Sequence, residues 1–89
     1  MRAIVTVIGR DRVGIIAEVC ALLAERGVNI LDISQTILQD YFTMIMLVDA
    51  SGASVPFKEL AEILHTLGEE RALEIRAQRE EIFDAMYKI

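Results

Sequence analysis

The sequence carries a single cysteine, Cys20, and a single histidine, His65. One thiol excludes a disulfide within the chain and fits a reducing compartment. One His and one Cys, with no Cys-x-x-Cys pair, leave no donor set for a transition metal within one chain, so no metal and no cofactor are expected. Tryptophan is absent, and Pro56 is the single proline. No apolar stretch approaches the roughly 18–20 residues needed to cross a bilayer. The N-terminal run Ala3 to Ile8 is broken by Thr6 and is too short for a signal peptide. These absences predict a cytoplasmic protein that does not engage a membrane. Basic residues are also scarce: 9 Lys and Arg stand against 14 Asp and Glu, for a net charge of −5. An acidic chain without a basic run argues against direct nucleic-acid binding.

What is plentiful is apolar side chain. Hydrophobic residues make up 54% of 89 residues, and the mean hydropathy is +0.42. A chain of this length is one domain that buries roughly 60–70% of its unfolded surface. It holds more apolar side chain than one small core can take, and self-association is the simplest way to cover the excess.

Local pattern then sets the elements. Ala3 to Ile8 is a β-branched strand ending at Gly9, and Arg10-Asp11-Arg12-Val13-Gly14 is a polar loop. Ile15 to Arg26 reads as a helix, with Ile16, Val19 and Leu23 at helical spacing and Gly27 as its stop. Ala17, Ala21 and Ala24 form a small-residue strip on that helix, suited either to close approach of another helix or simply to helix propensity. Val28 to Leu38 is a strand polar enough for a sheet edge. Gln39-Asp40 turns the chain into Tyr41 to Asp49, whose apolar run suits a central strand covered on both faces. A second helix starts at Ser54 or Val55, holds Pro56 in its first turn, buries Phe57, Leu60, Ile63, Leu64 and Leu67, and ends at Gly68. Ala72 to Arg79 alternates cleanly as a fourth strand, and Glu80 to Lys88 forms a terminal helix.

The order βαββαβ with right-handed crossovers predicts an α+β, ferredoxin-like sandwich. Its four-stranded antiparallel sheet has strand order 4-1-3-2, with two helices on one face and a short C-terminal helix. The first and third strands are apolar on both faces, so the open face needs a cover: the tail helix or another subunit. The expected division is residues 1–79 as the domain and 80–89 as the tail.

The candidate residues bear on three chemistries. A small enzyme like acylphosphatase would pair Arg10 or Arg12 with Asn29 around a phosphoryl group, but Asp11 sits in the middle of that anion cradle. An RNA-recognition motif would need strand-3 aromatics on one face, whereas Tyr41 and Phe42 are adjacent and point apart. The third is the glycine-framed loop itself. It runs into a helix N-terminus, whose free N–H groups and dipole favour an anion, and Gly14 admits close approach to the backbone. Asn29 emerges at the other end of the helix, so a two-fold dimer would be needed to bring it to the loop.

The stretch Val7-Ile8-Gly9-Arg10-Asp11-Arg12-Val13-Gly14-Ile15, followed by Glu25-Arg26-Gly27-Val28-Asn29-Ile30, resembles the ACT domain. Asp32 to Thr36, Tyr41 to Met44 and the tail Ile82 to Ile89 are similar to stand-alone ACT proteins, a group similar to the glycine cleavage system transcriptional repressor. The resemblance covers the whole chain. It implies a regulatory, non-enzymatic homodimer that pairs through its second strand and first helix, binds an amino acid or similar small ligand between subunits, and signals to a protein partner. It places ligand contacts at Gly9, Arg10, Asp11, Arg12, Gly14, Ile15, Asn29 and Ile30. Backbone N–H groups around Val13 to Ile15 would take a carboxylate, and Asp11 with Asn29 an ammonium. Serine-binding members often carry Asn at the Asp11 position, His at Gly9 and Pro at Val13. A full charge at Asp11 favours an amine and disfavours a nearby carboxylate unless Arg10 or Arg12 compensates. An ACT-like interaction module without ligand is the alternative.

Overall fold

Strand β1 (Arg2–Arg10), helix α1 (Ile15–Glu25), strands β2 (Asn29–Leu38) and β3 (Tyr41–Asp49), helix α2 (Phe57–Glu70), strand β4 (Glu74–Arg79) and helix α3 (Glu80–Tyr87) follow one another in a computed structural model. The structure describes residues 1–10 and 14–87, and the side chains of all but the last two of these. The four strands form one antiparallel sheet in the order β2-β3-β1-β4. That is the expected 4-1-3-2 order, with β2 and β4 at the edges.

Alternation along the central strands builds the core. Ala3, Val5 and Val7 of β1 and Phe42, Met44, Met46 and Val48 of β3 point to one face and are buried. Ile15, Val19 and Leu23 of α1 and Leu60, Leu64 and Leu67 of α2 close over them in the same cluster. Cys20 packs half-buried against this core, while His65 is exposed and lies 3.7 Å from Glu69. Among the described residues, no helix is long and apolar enough to cross a membrane.

The opposite sheet face is covered only in part. Phe83 of α3 lines a small cavity with Thr6 and Ile8 of β1 and with Glu74, Arg76 and Gln78 of β4. Toward β2 the face stays open. Ile8, Ile45, Tyr41 and Leu38 there are exposed by 43%, 40%, 56% and 71%.

Element ends differ from the sequence reading for reasons visible in the backbone. Val28 is not the start of β2: its N–H donates to Leu23 O at 3.0 Å and that of Gly27 to Ala24 O at 3.1 Å. These two bonds make a Schellman cap on α1, with Gly27 left-handed at φ +76. The end of α2 is built the same way. Leu73 N–H donates to Gly68 O and Ala72 N–H to Glu69 O, with Ala72 at φ +56. Residues 72 and 73 therefore cap the helix and do not belong to β4. Gly68 lies inside α2 instead of ending it. A Cβ there would sit 2.8 Å from Leu73 O and 3.2 Å from Ile75, so this glycine serves the close approach of β4 to the helix. Pro56, with ψ 151, is the N-cap of α2, so the helix starts at Phe57; Val55, as the residue before a proline, is kept from helical angles, which stops the helix starting earlier.

Candidate functional site

Strand register decides which candidate residues meet. Arg10 pairs with Tyr41 at one end of the sheet, and Asn29 pairs with Asp49 at the other. Gly9, Arg10, Gly14 and Ile15 thus gather at the N-terminal end of α1. Asn29 and Ile30 stand past its C-terminal end. The 11 residues of α1 rise about 16 Å, so one chain does not bring the two groups together. The same separation keeps Arg10 and Asn29 from forming an acylphosphatase-like pair. Asp11 and Arg12 lie outside the described residues.

Each position has a physical reason. Gly14 is the N-cap of α1 at φ 85 and ψ −4, a left-handed conformation that favours glycine, and among the described residues no side chain caps the helix. Its carbonyl accepts from Glu18 N–H at 3.0 Å. Among the described residues, nothing lies within 4 Å of where a Cβ would stand. A helix first turn without a side-chain cap has free N–H groups that can receive an anion. Ile15 is 3% exposed, so its side chain belongs to the core. Gly9 has a packing role: it lies on the core face of β1, where a Cβ would run into the Leu73 side chain. Ile30 is half-buried against the core. Asn29 is exposed, and its side chain makes no hydrogen bond among the described residues.

Four residues outside the sequence candidates shape this end. Arg10 lies 3.7 Å from Asp40, and its guanidinium carbon is 5.8 Å from the Tyr41 ring centroid. The hairpin between β2 and β3 thus holds the cation beside the loop. The strand order alone brings the start of the third strand to the end of the first, which was the available signal. The other tie is Arg71, whose Nε lies 3.0 and 3.1 Å from the two carboxylate oxygens of Glu18. This hydrogen-bonded pair holds the Glu18 carboxyl below the usual carboxylate range. It fastens the first turn of α1 to the end of α2, and its separation in sequence hides it from local pattern.

The surface beside the cleft is unpartnered. Every residue from 31 to 40 is exposed, as are Ala17, Ala21 and Ala24 on α1. A bulge between Ile30 and Asp32 shifts the register of β2, and Leu31, Ile33 and Ile37 are exposed by 47%, 37% and 60%. An edge strand this apolar calls for a partner strand.

Comparison with known proteins matches this architecture. The model of the ACT domain family matches residues 2–78. A UPF0237 protein of Listeria innocua is 52% identical over 89 residues, all of both chains. An ACT domain protein from Streptococcus pneumoniae has a solved structure that superposes with a TM-score of 0.81 at 42% identity, covering 98% of each chain. A protein assigned as a glycine cleavage system transcriptional repressor superposes at 0.73 with 28% identity, over 86% of this chain and 44% of that one. The chain belongs to the ACT domain family.

Proposed function

We propose that the protein is a regulatory homodimer that binds a free amino acid or similar small zwitterion in a cleft shared by two subunits. The observation that carries this reading is the N-terminus of α1, opened by left-handed Gly14, which has no side-chain cap and no neighbour at its Cβ position among the described residues. The carboxylate lies on the N–H groups of that turn, with Arg10 beside it. The two described carboxylates at this end are already met by cations, Asp40 by Arg10 and Glu18 by Arg71, so further acceptors for the ammonium come from a second chain. Antiparallel pairing of two β2 strands meets the need. In a two-fold pair, the start of one β2 faces the end of the other, so Asn29 of the partner subunit comes level with Arg10. The exposed edge of β2 and the alanine strip of α1 support that pairing. Glycine cleavage and its repression, named for one structural relative, lie in amino-acid metabolism and support the ligand class.

Thermal unfolding against each of the twenty amino acids at millimolar concentration tests the reading. A ligand at about 100 times its Kd stabilises by roughly 2.7 kcal/mol, a shift of about ten degrees or more in a domain this size. One amino acid is expected to give this shift and to lose it in Asn29→Ala. A flat response to all twenty, in a sample shown to be dimeric, refutes the ligand and leaves an interaction module.

A further inference from the structure

The second edge of the sheet carries a different surface. A groove of about 820 Å³ runs between α2 and β4, within the usual range of about 300–1,000 Å³ for binding sites. Phe57 and Ala61 form its helical wall, Ala77 its floor on β4, and Ile82 of α3 extends it beyond Arg79. Ile82 is 48% exposed. Its lining runs from Phe57 to Thr66 on α2, about 15 Å, and over Ala77 to Arg79 on β4, about 10 Å. As the edge strand, β4 has an outer row of N–H and C=O groups without a partner strand.

The groove is polarised. At the Phe57 end lie Lys58 and Arg79, together with the positive end of α2, which no side chain caps. Lys58 makes no ion pair among the described residues. Arg79 lies 3.9 Å from Glu81 and over the Phe57 ring at 5.8 Å from its centroid. Further along, the wall turns acidic at Glu62, with Glu69 beside His65.

We infer that this groove docks an extended segment of a partner protein as a fifth strand on β4. The segment fills the groove with about four residues, with apolar side chains at alternate positions and an acidic group at the end that meets Lys58 and Arg79. A free amino acid would fill neither the length nor the backbone edge. A second copy on this edge is told apart by the oligomeric state in the test below. Polarity along the groove fixes the direction of the segment, as complementary charges fix register at interfaces.

The test uses the full-length chain, labelled with 15N, and two pools of hexapeptides with Leu or Val at positions 2 and 4. One pool ends in Asp and the other in Lys. The Asp pool is expected to shift the amides of Ala61, Ala77 and Ile82 and to slow exchange of alternate β4 amides. Lys58→Glu is a surface change in the first turn of a helix, where an acid is favourable, so the fold is retained. It is expected to weaken the Asp pool at least tenfold and to favour the Lys pool. The inference is overturned by no shift with either pool, by equal affinity for N-acetyl-leucine, or by oligomer growth that Lys58→Glu abolishes. None of these results bears on the amino-acid screen, which reads the opposite side of the domain.

Discussion

The two helix caps offer a matched pair of substitutions with opposite signs. Both α1 and α2 end in the same two hydrogen bonds, yet the left-handed position is Gly27 in one and Ala72 in the other. An L-residue held at φ +56 costs about 1–2 kcal/mol relative to a right-handed one. Replacing it with glycine returns about 0.5–1 kcal/mol of that to the unfolded chain as freedom. Ala72 is exposed, so its methyl adds no core packing. Ala72→Gly should therefore stabilise by about 0.5–1 kcal/mol, raising Tm by about 2–8 °C. The mirror change, Gly27→Ala, carries the same backbone cost and more. Its Cβ would lie 2.6 Å from the carbonyl oxygen of Gly52, a backbone atom that cannot turn aside. A destabilisation of about 2 kcal/mol or more follows. Thermal and urea unfolding of both variants, followed by circular dichroism, gives the two values. An Ala72→Gly protein that melts at or below the parent temperature refutes the argument.

Three more outcomes are expected. Asp49 is held at about 2, below its ordinary 3.8, chiefly by the Ser51 hydroxyl at 2.6 Å and the Ser51 N–H at 2.9 Å. Because the folded value is the lower one, this stabilisation is complete above pH 3.8 and is lost as pH falls toward 2. Ser51→Ala should flatten that limb of a plot of Tm against pH, and an unchanged slope would count against the assignment. Leu31→Lys, at the exposed bulge of β2, should convert a dimer into a particle of 10.0 kDa, read by light scattering. A dimer that persists would place the interface elsewhere. Gly14→Ala meets no atom of the described residues within 4 Å but must hold φ +85, so it should cost about 1 kcal/mol in stability and abolish any amino-acid-induced shift.

Much of the architecture was legible because β1 and β3 are apolar on both faces while Leu73, Ile75 and Ala77 alternate with polar neighbours. Those patterns identify central and edge strands before any coordinates. Glycine was the weaker guide. Gly27 ends a helix and Gly68 does not, because the same residue serves both a left-handed turn and the tight passage of a strand. Nothing local marks the bulge at Leu31 or the pairing of Glu18 with Arg71, which depend on neighbours distant in sequence. The candidate site was legible in part. The framing glycine of the loop and the helix it opens stand where the spacing put them. The contacts of Arg10 with Asp40 and Tyr41 follow from the strand order, which sets the end of β1 beside the start of β3.

The length of α1 has a consequence for genetics. If the loop and Asn29 act together only across two chains, a Gly14→Ala subunit and an Asn29→Ala subunit are each defective alone but complementary when mixed. Their heterodimer carries one cleft with both lesions and one with neither. Co-expression of the two should restore one binding site per mixed dimer, the stoichiometry of a cleft that neither polypeptide owns.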